Sequence, residues 1–235
     1  MPGVIKWGLS FKNLKEAIDL ANFTGYGLTA GFESLDEREW EYFHTHIEAG
    51  NIYINKPTTG AIVLRQPFGG IKKSAIGLGR KVGIYNYITQ FLEIKQEEFD
   101  THEIECEFSK KLAQIKEEKD LINELIPMSK SYAYHYEKEF STSKDYVHIR
   151  GEDNLFSYTP IKNIVLRLRE NENLRDILGV ILGANIAKID LTISHEQDIS
   201  KVKEMIKAIG AKAFFLKESQ ENFIQSMKDY ERLFP

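Results

Sequence analysis

The residues best suited to meet a ligand in this chain are Thr58, Thr59 and Gly60, a loop with no bulk at its tip. A glycine lets backbone N–H groups come close to a bound molecule, because no Cβ stands between them. The same residues also fit an ordinary surface turn between two strands, and local pattern alone does not choose. Cys106 is the chain's one thiol. A thiolate is a strong nucleophile, but Glu103, Glu105 and Glu107 crowd this one with negative charge and disfavour the charged form. An ordinary lone thiol is the better reading. The six histidines are His44, His46, His102, His135, His148 and His195. His44 and His46 stand two apart on a predicted helix and point in different directions, whereas helical metal ligands stand three or four apart. No metal site is expected. Tyr132, Tyr134 and Tyr136 alternate around His135; with few basic neighbours they suit packing better than stacking on nucleic-acid bases.

The elements that must position the loop are legible around it. Asn51 to Asn55 alternates polar and apolar residues, as a half-buried strand does. Val63 and Leu64 lead into Gln66-Pro67-Phe68-Gly69-Gly70, where the two glycines force a tight bend. Upstream, residues 4 to 9 read as a short strand. Leu14, Ala17, Ile18 and Ala21 recur at helical spacing within Asn13 to Asn22. Asp36 to Ala49 reads as a second helix, capped by Ser34 or Asp36, with Trp40, Phe43 and Ile47 on its apolar face.

The whole run from Asn51 to Gly77, NIYINKPTTGAIVLRQPFGGIKKSAIG, resembles the C-terminal signature of the aldehyde dehydrogenase superfamily. Within it, TTGAIV followed by RQPFGG is similar to one branch, L-glutamate γ-semialdehyde (pyrroline-5-carboxylate) dehydrogenase. The dehydrogenase half of the bifunctional proline utilization A proteins is the form it resembles most. Thr24 to Gly31 resembles the segment before the family's helix, and Tyr85 to Ile94, YNYITQFLEI, resembles its closing strand. The likeness covers about residues 4 to 95. At Ile71-Lys72-Lys73 the chain departs from relatives that carry a glycine there.

That resemblance implies attack by a Cys thiolate on an aldehyde, hydride transfer to NAD and hydrolysis of a thioester. In family order the Cys, an oxyanion-binding Asn and a water-activating Glu lie upstream of the matching region. No catalytic residue is therefore expected in this chain. The resemblance also implies a substrate anchor. The N–H groups of Gly60 and Ala61 would hold the α-carboxylate of an amino-acid semialdehyde, and Phe68 would wall its aliphatic part. NAD is the implied cofactor of the complete enzyme; none is expected for this chain alone. In the closing strand, Tyr87, Thr89 and Phe91 would share one face, with Ile88 and Leu92 on the other. A strand with a free edge seeks a partner. The expected partner is the upstream part of the dehydrogenase, or a second copy through that strand.

Further along, Gln96 to Glu107 is polar and acidic and reads as a linker. Phe108 to Ile126 reads as a helix with Pro127 as its stop. Met128 to Ser143 has no clear pattern. From Tyr158 onward, strands alternate with helices. Ile164 to Leu168, Lys188 to Ile193 and Ala211 to Leu216 read as strands. Leu174 to Leu182, Ile199 to Ile209 and Glu221 to Leu233 read as helices, with Gly210 as a C-terminal cap. Such alternation implies βαβ units and a parallel sheet. The turn Arg169 to Asn173 has no glycine and carries two carboxylates, so it is unsuited to a dinucleotide phosphate. Arg150-Gly151-Glu152-Asp153-Asn154, followed by Tyr158-Thr159-Pro160, is similar to the opening of the extra C-terminal domain of longer proline utilization A proteins. That domain resembles a degenerate copy of the cofactor domain. Gly183-Ala184-Asn185 resembles its step before a lysine-bearing strand, and Asp190 falls near the lysine's place. The resemblance implies a structural role there, without chemistry.

A net charge of −4 offers no basic field for nucleic acid. No apolar run approaches the roughly 20 residues of a membrane span, and no signal peptide is evident. One cysteine suits a reducing cytoplasm. The expected fold class is α/β: the C-terminal portion of an aldehyde dehydrogenase fold plus a small degenerate Rossmann-like βαβ domain. The expected domains are 1–95, a helical linker region 96–145, and 146–235. The expected function is the C-terminal segment of an NAD-dependent L-glutamate γ-semialdehyde dehydrogenase of proline catabolism. A catalytically inactive structural or binding remnant of such an enzyme is the alternative.

Overall fold

The computed structural model describes residues 8–59, 61–62, 65–76, 80–83, 85–93, 95 and 104–233. The chain folds as two units. The first combines Met1–Lys95 with Asp145–Phe156, and the second combines Gln96–Lys144 with Ser157–Pro235.

In the first unit, α1 (Leu14–Asn22) begins where extended Asn13 accepts a hydrogen bond from the Glu16 N–H. Such a cap satisfies an N–H that the helix itself cannot. β1 (Tyr26–Gly27) and β2 (Thr29–Phe32) follow. α2 (Glu37–His46) is capped by Asp36, which accepts from the Arg38 N–H. β3 (Asn51–Ile54) runs parallel to β2 in the register Thr29↔Asn51 to Phe32↔Ile54. β4 (Ile71–Lys72) pairs antiparallel with β1. The two helices bury Ile18, Phe43 and Ile47, with Leu14, Phe32, Ile52 and Ile54 packed around them. Phe32 stacks on Phe43 at 4.7 Å between ring centres. Each such buried side chain contributes about 1.5–3 kcal/mol.

Two expectations for this unit need correction or lie outside it. Residues 4–7 of the expected strand 4–9 are outside the described residues, and Gly8 and Leu9 lie in no strand. The expected closing strand is instead a 3₁₀ helix over Tyr85–Phe91, with Ile94 outside the described residues. Alternating apolar residues permit a strand, but a strand exists only by pairing with a neighbour. Here the backbone closes its bonds locally, ending with the Leu92 N–H on the Thr89 carbonyl at 3.4 Å. Tyr87 and Phe91 meet edge to face at 5.6 Å, as residues four apart on a helix do.

In the second unit, α3 (Glu107–Leu112) leads to α4 (Lys119–His135) through Glu118, which has a left-handed backbone. The expected single helix 108–126 is thus two helices. Pro127 lies inside α4 and does not end it. Proline in a helix interior costs about 3 kcal/mol. The buried face of Ile122, Leu125 and Met128 holds the helix through it. A wider, π-type turn then covers Tyr136–Phe140, so Met128 to Ser143 is largely helical rather than patternless.

The short strands β5 (Lys144–Asp145) and β6 (Leu155–Phe156) form a two-stranded sheet, whose residues from Asp145 to Phe156 belong to the first unit; the second unit resumes at Ser157. β7 (Asn163–Arg167), β8 (Asp190–His195) and β9 (Phe214–Lys217) form a parallel sheet in that order. α5 (Leu174–Ile186) and α6 (Ser200–Ile209) make the crossovers, and α7 (Gln220–Leu233) closes the chain. Gly210 ends α6 with a φ of 68°. Leu178, Ile181, Leu182, Leu191, Ile193 and Ile209 are fully or almost fully buried. Gly183, Ala184 and Asn185 belong to the last turns of α5. A Cβ at Gly183 would touch the Tyr132 ring of α4 at 3.6 Å. Asp190 opens β8 at the surface, opposite Asn163.

Candidate anchor loop

The loop that leaves β3 is fixed at its start by Asn55. This residue has a φ of 52°. Its side chain accepts from the Ser34 N–H at 2.9 Å and donates to the Ser34 carbonyl at 2.8 Å. Those bonds tie the exit of β3 to the exit of β2. Lys56 then forms an ion pair with Glu152. Thr58 lies over β2 itself: a Cβ built on Gly31 would stand 2.5 Å from the Thr58 methyl carbon. Only glycine at 31 lets the loop sit this low. The loop returns through a tight turn, in which the Ile62 carbonyl accepts from Arg65 at 3.0 Å and Gln66 at 3.1 Å. Gln66 donates to Asn154 Oδ1 at 3.1 Å and accepts from the Tyr53 hydroxyl at 3.4 Å.

In the same unit, two backbone segments cross at van der Waals distance. A Cβ on Gly50 would stand 2.0 Å from the Gly69 carbonyl oxygen, so the expected Gly69-Gly70 bend is also a close crossing. Asn51 Nδ2 donates to the Leu28 carbonyl at 2.8 Å and the Gly69 carbonyl at 3.0 Å. The Lys81 ammonium donates to the Gly50 carbonyl, to the Gly69 carbonyl at 3.1 Å and to Asn51 Oδ1 at 3.4 Å. Burial pushes its pKa down to about 8. Lys81 is thus a bolt across the crossing, and nothing in its local sequence signals it.

Of the three expected substrate-binding residues, Gly60 lies outside the described residues. Ala61 is exposed. Phe68 is half-buried, and both its backbone groups pair with Val82 at 2.9 Å. Ala61 and Phe68 therefore flank the 62–66 turn on one continuous segment. Cys106 is remote from this chemistry in role. It caps α3: its Sγ accepts from the Ser109 N–H at 3.4 Å and donates to the Ser129 carbonyl at 3.7 Å. Among the described residues, no three His, Cys, Asp or Glu side chains gather as metal ligands do. No described helix is long and apolar enough to cross a membrane.

Residues 7–96 match the model of the aldehyde dehydrogenase family. The 1-pyrroline-5-carboxylate dehydrogenase of Staphylococcus haemolyticus is 40% identical over 85 residues, 36% of this chain and 16% of that protein. The enzyme of the same name from Staphylococcus epidermidis is 38% identical over 87 residues, again 16% of its length. Among solved structures, that of Proline Utilization A (PutA) from Corynebacterium freiburgense superposes with a TM-score of 0.66 at 27% identity. It covers 88% of this chain and 22% of its own.

Residues 7–96 are thus similar to a segment of the aldehyde dehydrogenase family. Within it, the likeness is to the 1-pyrroline-5-carboxylate dehydrogenases, as in PutA. The matched region spans about one-sixth of the curated relatives, at 16%.

Proposed function

We propose that this chain is the C-terminal part of an NAD-dependent L-glutamate γ-semialdehyde dehydrogenase of proline catabolism, and that it supplies the substrate's carboxylate anchor. The observation that carries the reading is the loop after β3: both its ends are tied, and Thr58 is seated on Gly31. A loop tied at both ends has less freedom to lose on binding, so less ordering is left to oppose it. The N–H groups of Gly60 and Ala61 receive the α-carboxylate, and Phe68 lines the aliphatic part. Each charge-assisted bond is worth about 1.5–3 kcal/mol.

In this reading the nucleophile, the oxyanion donors, the general base and the NAD site come from an upstream part of the enzyme, in the cytoplasm. Cys106 supports that division, because its sulfur is engaged in capping α3. The second unit is structural. The superposition with PutA extends over 88% of the chain, well past the family-matched residues, and supports assigning both units to one larger enzyme.

The test is NADH formation from L-glutamate γ-semialdehyde and NAD. The pure chain should form none, and the chain combined with the upstream portion of a related dehydrogenase should be active. NADH formed by the chain alone, and lost in Cys106→Ala, overturns the reading. A combination that assembles but stays inactive favours a remnant that keeps the fold without turnover.

A further inference from the structure

We propose that the Asp145–Phe156 arm is the clamp that positions the anchor loop, with Glu152 and Asn154 as its positioning residues. This rests on the anchor reading above. The arm returns to the first unit from a distant part of the sequence and touches the loop where it begins and where it ends. Glu152 pairs with Lys56, 96 positions away, directly after β3. Asn154 Oδ1 accepts from Gln66 at 3.1 Å, just before the Phe68 strand pairing. A loop pinned at both ends by one rigid body keeps a fixed span between its ends.

The arm is rigid enough for this. The Asp145 carboxylate accepts three backbone N–H groups, from Val147 and His148 at 2.9 Å and Asn154 at 3.1 Å. Asn154 Nδ2 also donates to Glu152 at 3.3 Å, which joins the two clamping side chains to each other. Charge agrees with geometry. The Lys56 ammonium and the Asn154 amide hold the Glu152 carboxyl below the usual carboxylate range, and Arg65 on the far limb of the loop adds to the effect. One carboxylate thus faces basic groups from both limbs.

Gln66 completes the arrangement from below. Its amide oxygen accepts from buried Tyr53 on β3 at 3.4 Å, while its amide nitrogen serves the arm. The loop's second end is therefore held between the sheet and the arm. Neither Glu152 nor Asn154 touches the substrate in this account; they act through the loop.

Hydrogen exchange on the full 235-residue chain tests this. In Glu152→Gln and in Asn154→Ala, amides of the peptide 57–66 should exchange about fivefold faster, while β2 and β3 keep their protection. Exchange in 57–66 that is unchanged, with the arm itself released, overturns the clamp. If a single variant loses protection in β2 and β3 as well, the swapped pair Lys56→Glu with Glu152→Lys decides. Restored protection in 57–66 supports the clamp, and failure to restore it counts against it. Titration of the wild-type chain with L-glutamate separates the two claims. A clamp effect without glutamate binding removes the anchor reading and leaves the clamp. Glutamate binding with equal affinity in wild type and Glu152→Gln, and no exchange effect, removes the clamp alone.

Discussion

Thr58 rests on Gly31 so closely that a Cβ at position 31 would stand 2.5 Å from the threonine's methyl carbon. This contact sets the height of the anchor loop above β2. Gly31→Ala must push the loop outward or distort the strand, at a cost of about 1–3 kcal/mol for overpacking. Thr58→Ser removes the methyl group and should reverse most of that loss in the double variant. Chemical denaturation of the four proteins measures it. Additive effects in the double variant would show that the contact does not set the loop.

Lys81 closes the crossing of Gly50 and Gly69 by donating to both carbonyls. Lys81→Met takes this donor from the part-buried Gly50 carbonyl and leaves the Gly69 carbonyl with Asn51 alone, and about 1–3 kcal/mol of stability should be lost. The pKa shift predicts a pH trend as well. Burial lowers the ammonium from 10.5 to about 8, so between those values the unfolded chain binds more protons. The penalty is full below pH 8 and is relieved as pH rises toward 10.5, so the wild type's advantage over Lys81→Met should grow across that window. An advantage that shrinks with rising pH would contradict the desolvation account.

Asp145 organises the arm through three backbone N–H groups, which hold its carboxyl down to about 2 from 3.8. Its folded pKa is depressed. Its contribution is therefore present above about pH 4 and lost as pH falls through about 2. The amide resonances of Val147, His148 and Asn154 should titrate together with a midpoint near 2. A midpoint near 3.8 would mean that the arm is not built on this carboxylate.

Much of this was legible where structure is local. The Asp36 cap, the periodicity of α1 and α2, the alternation of β3 and the Gly210 stop each have their cause within a few residues. The three parallel strands followed from strands alternating with helices. What was not legible depends on distant partners. Pro127 reads as a stop until the burial of Leu125 and Met128 is known. YNYITQF has the alternation of a strand and is a 3₁₀ helix, because alternation does not supply a neighbour. The site divides in the same way. The end of the alternating strand before Thr58 was visible, whereas Gly60 itself lies outside the described residues. The Lys56–Glu152 pair, the Gln66–Asn154 bond and the Lys81 bolt join positions with no shared local pattern.

The same contrast predicts exchange behaviour along the chain. β8 is paired on both sides and buries Leu191 and Ile193, whereas Tyr85–Phe91 is a short helix with Ile88 and Phe91 exposed. Amides of 85–91 should exchange early and those of 191–195 last. Equal protection in the two segments would argue that 85–91 is packed in solution, as self-association through that segment would achieve.

The loop after β3 is proposed to receive the substrate's α-carboxylate through the N–H groups of Gly60 and Ala61. The most direct measurement is the KM for L-glutamate γ-semialdehyde of Gly60→Val in the assembled enzyme, with NADH formation as the signal. If the proposal holds, a branched side chain at 60 obstructs carboxylate binding in the ground state and the transition state alike. The account therefore predicts a raised KM with kcat nearly unchanged. An unchanged KM would contradict it and leave Gly60 as a turn glycine.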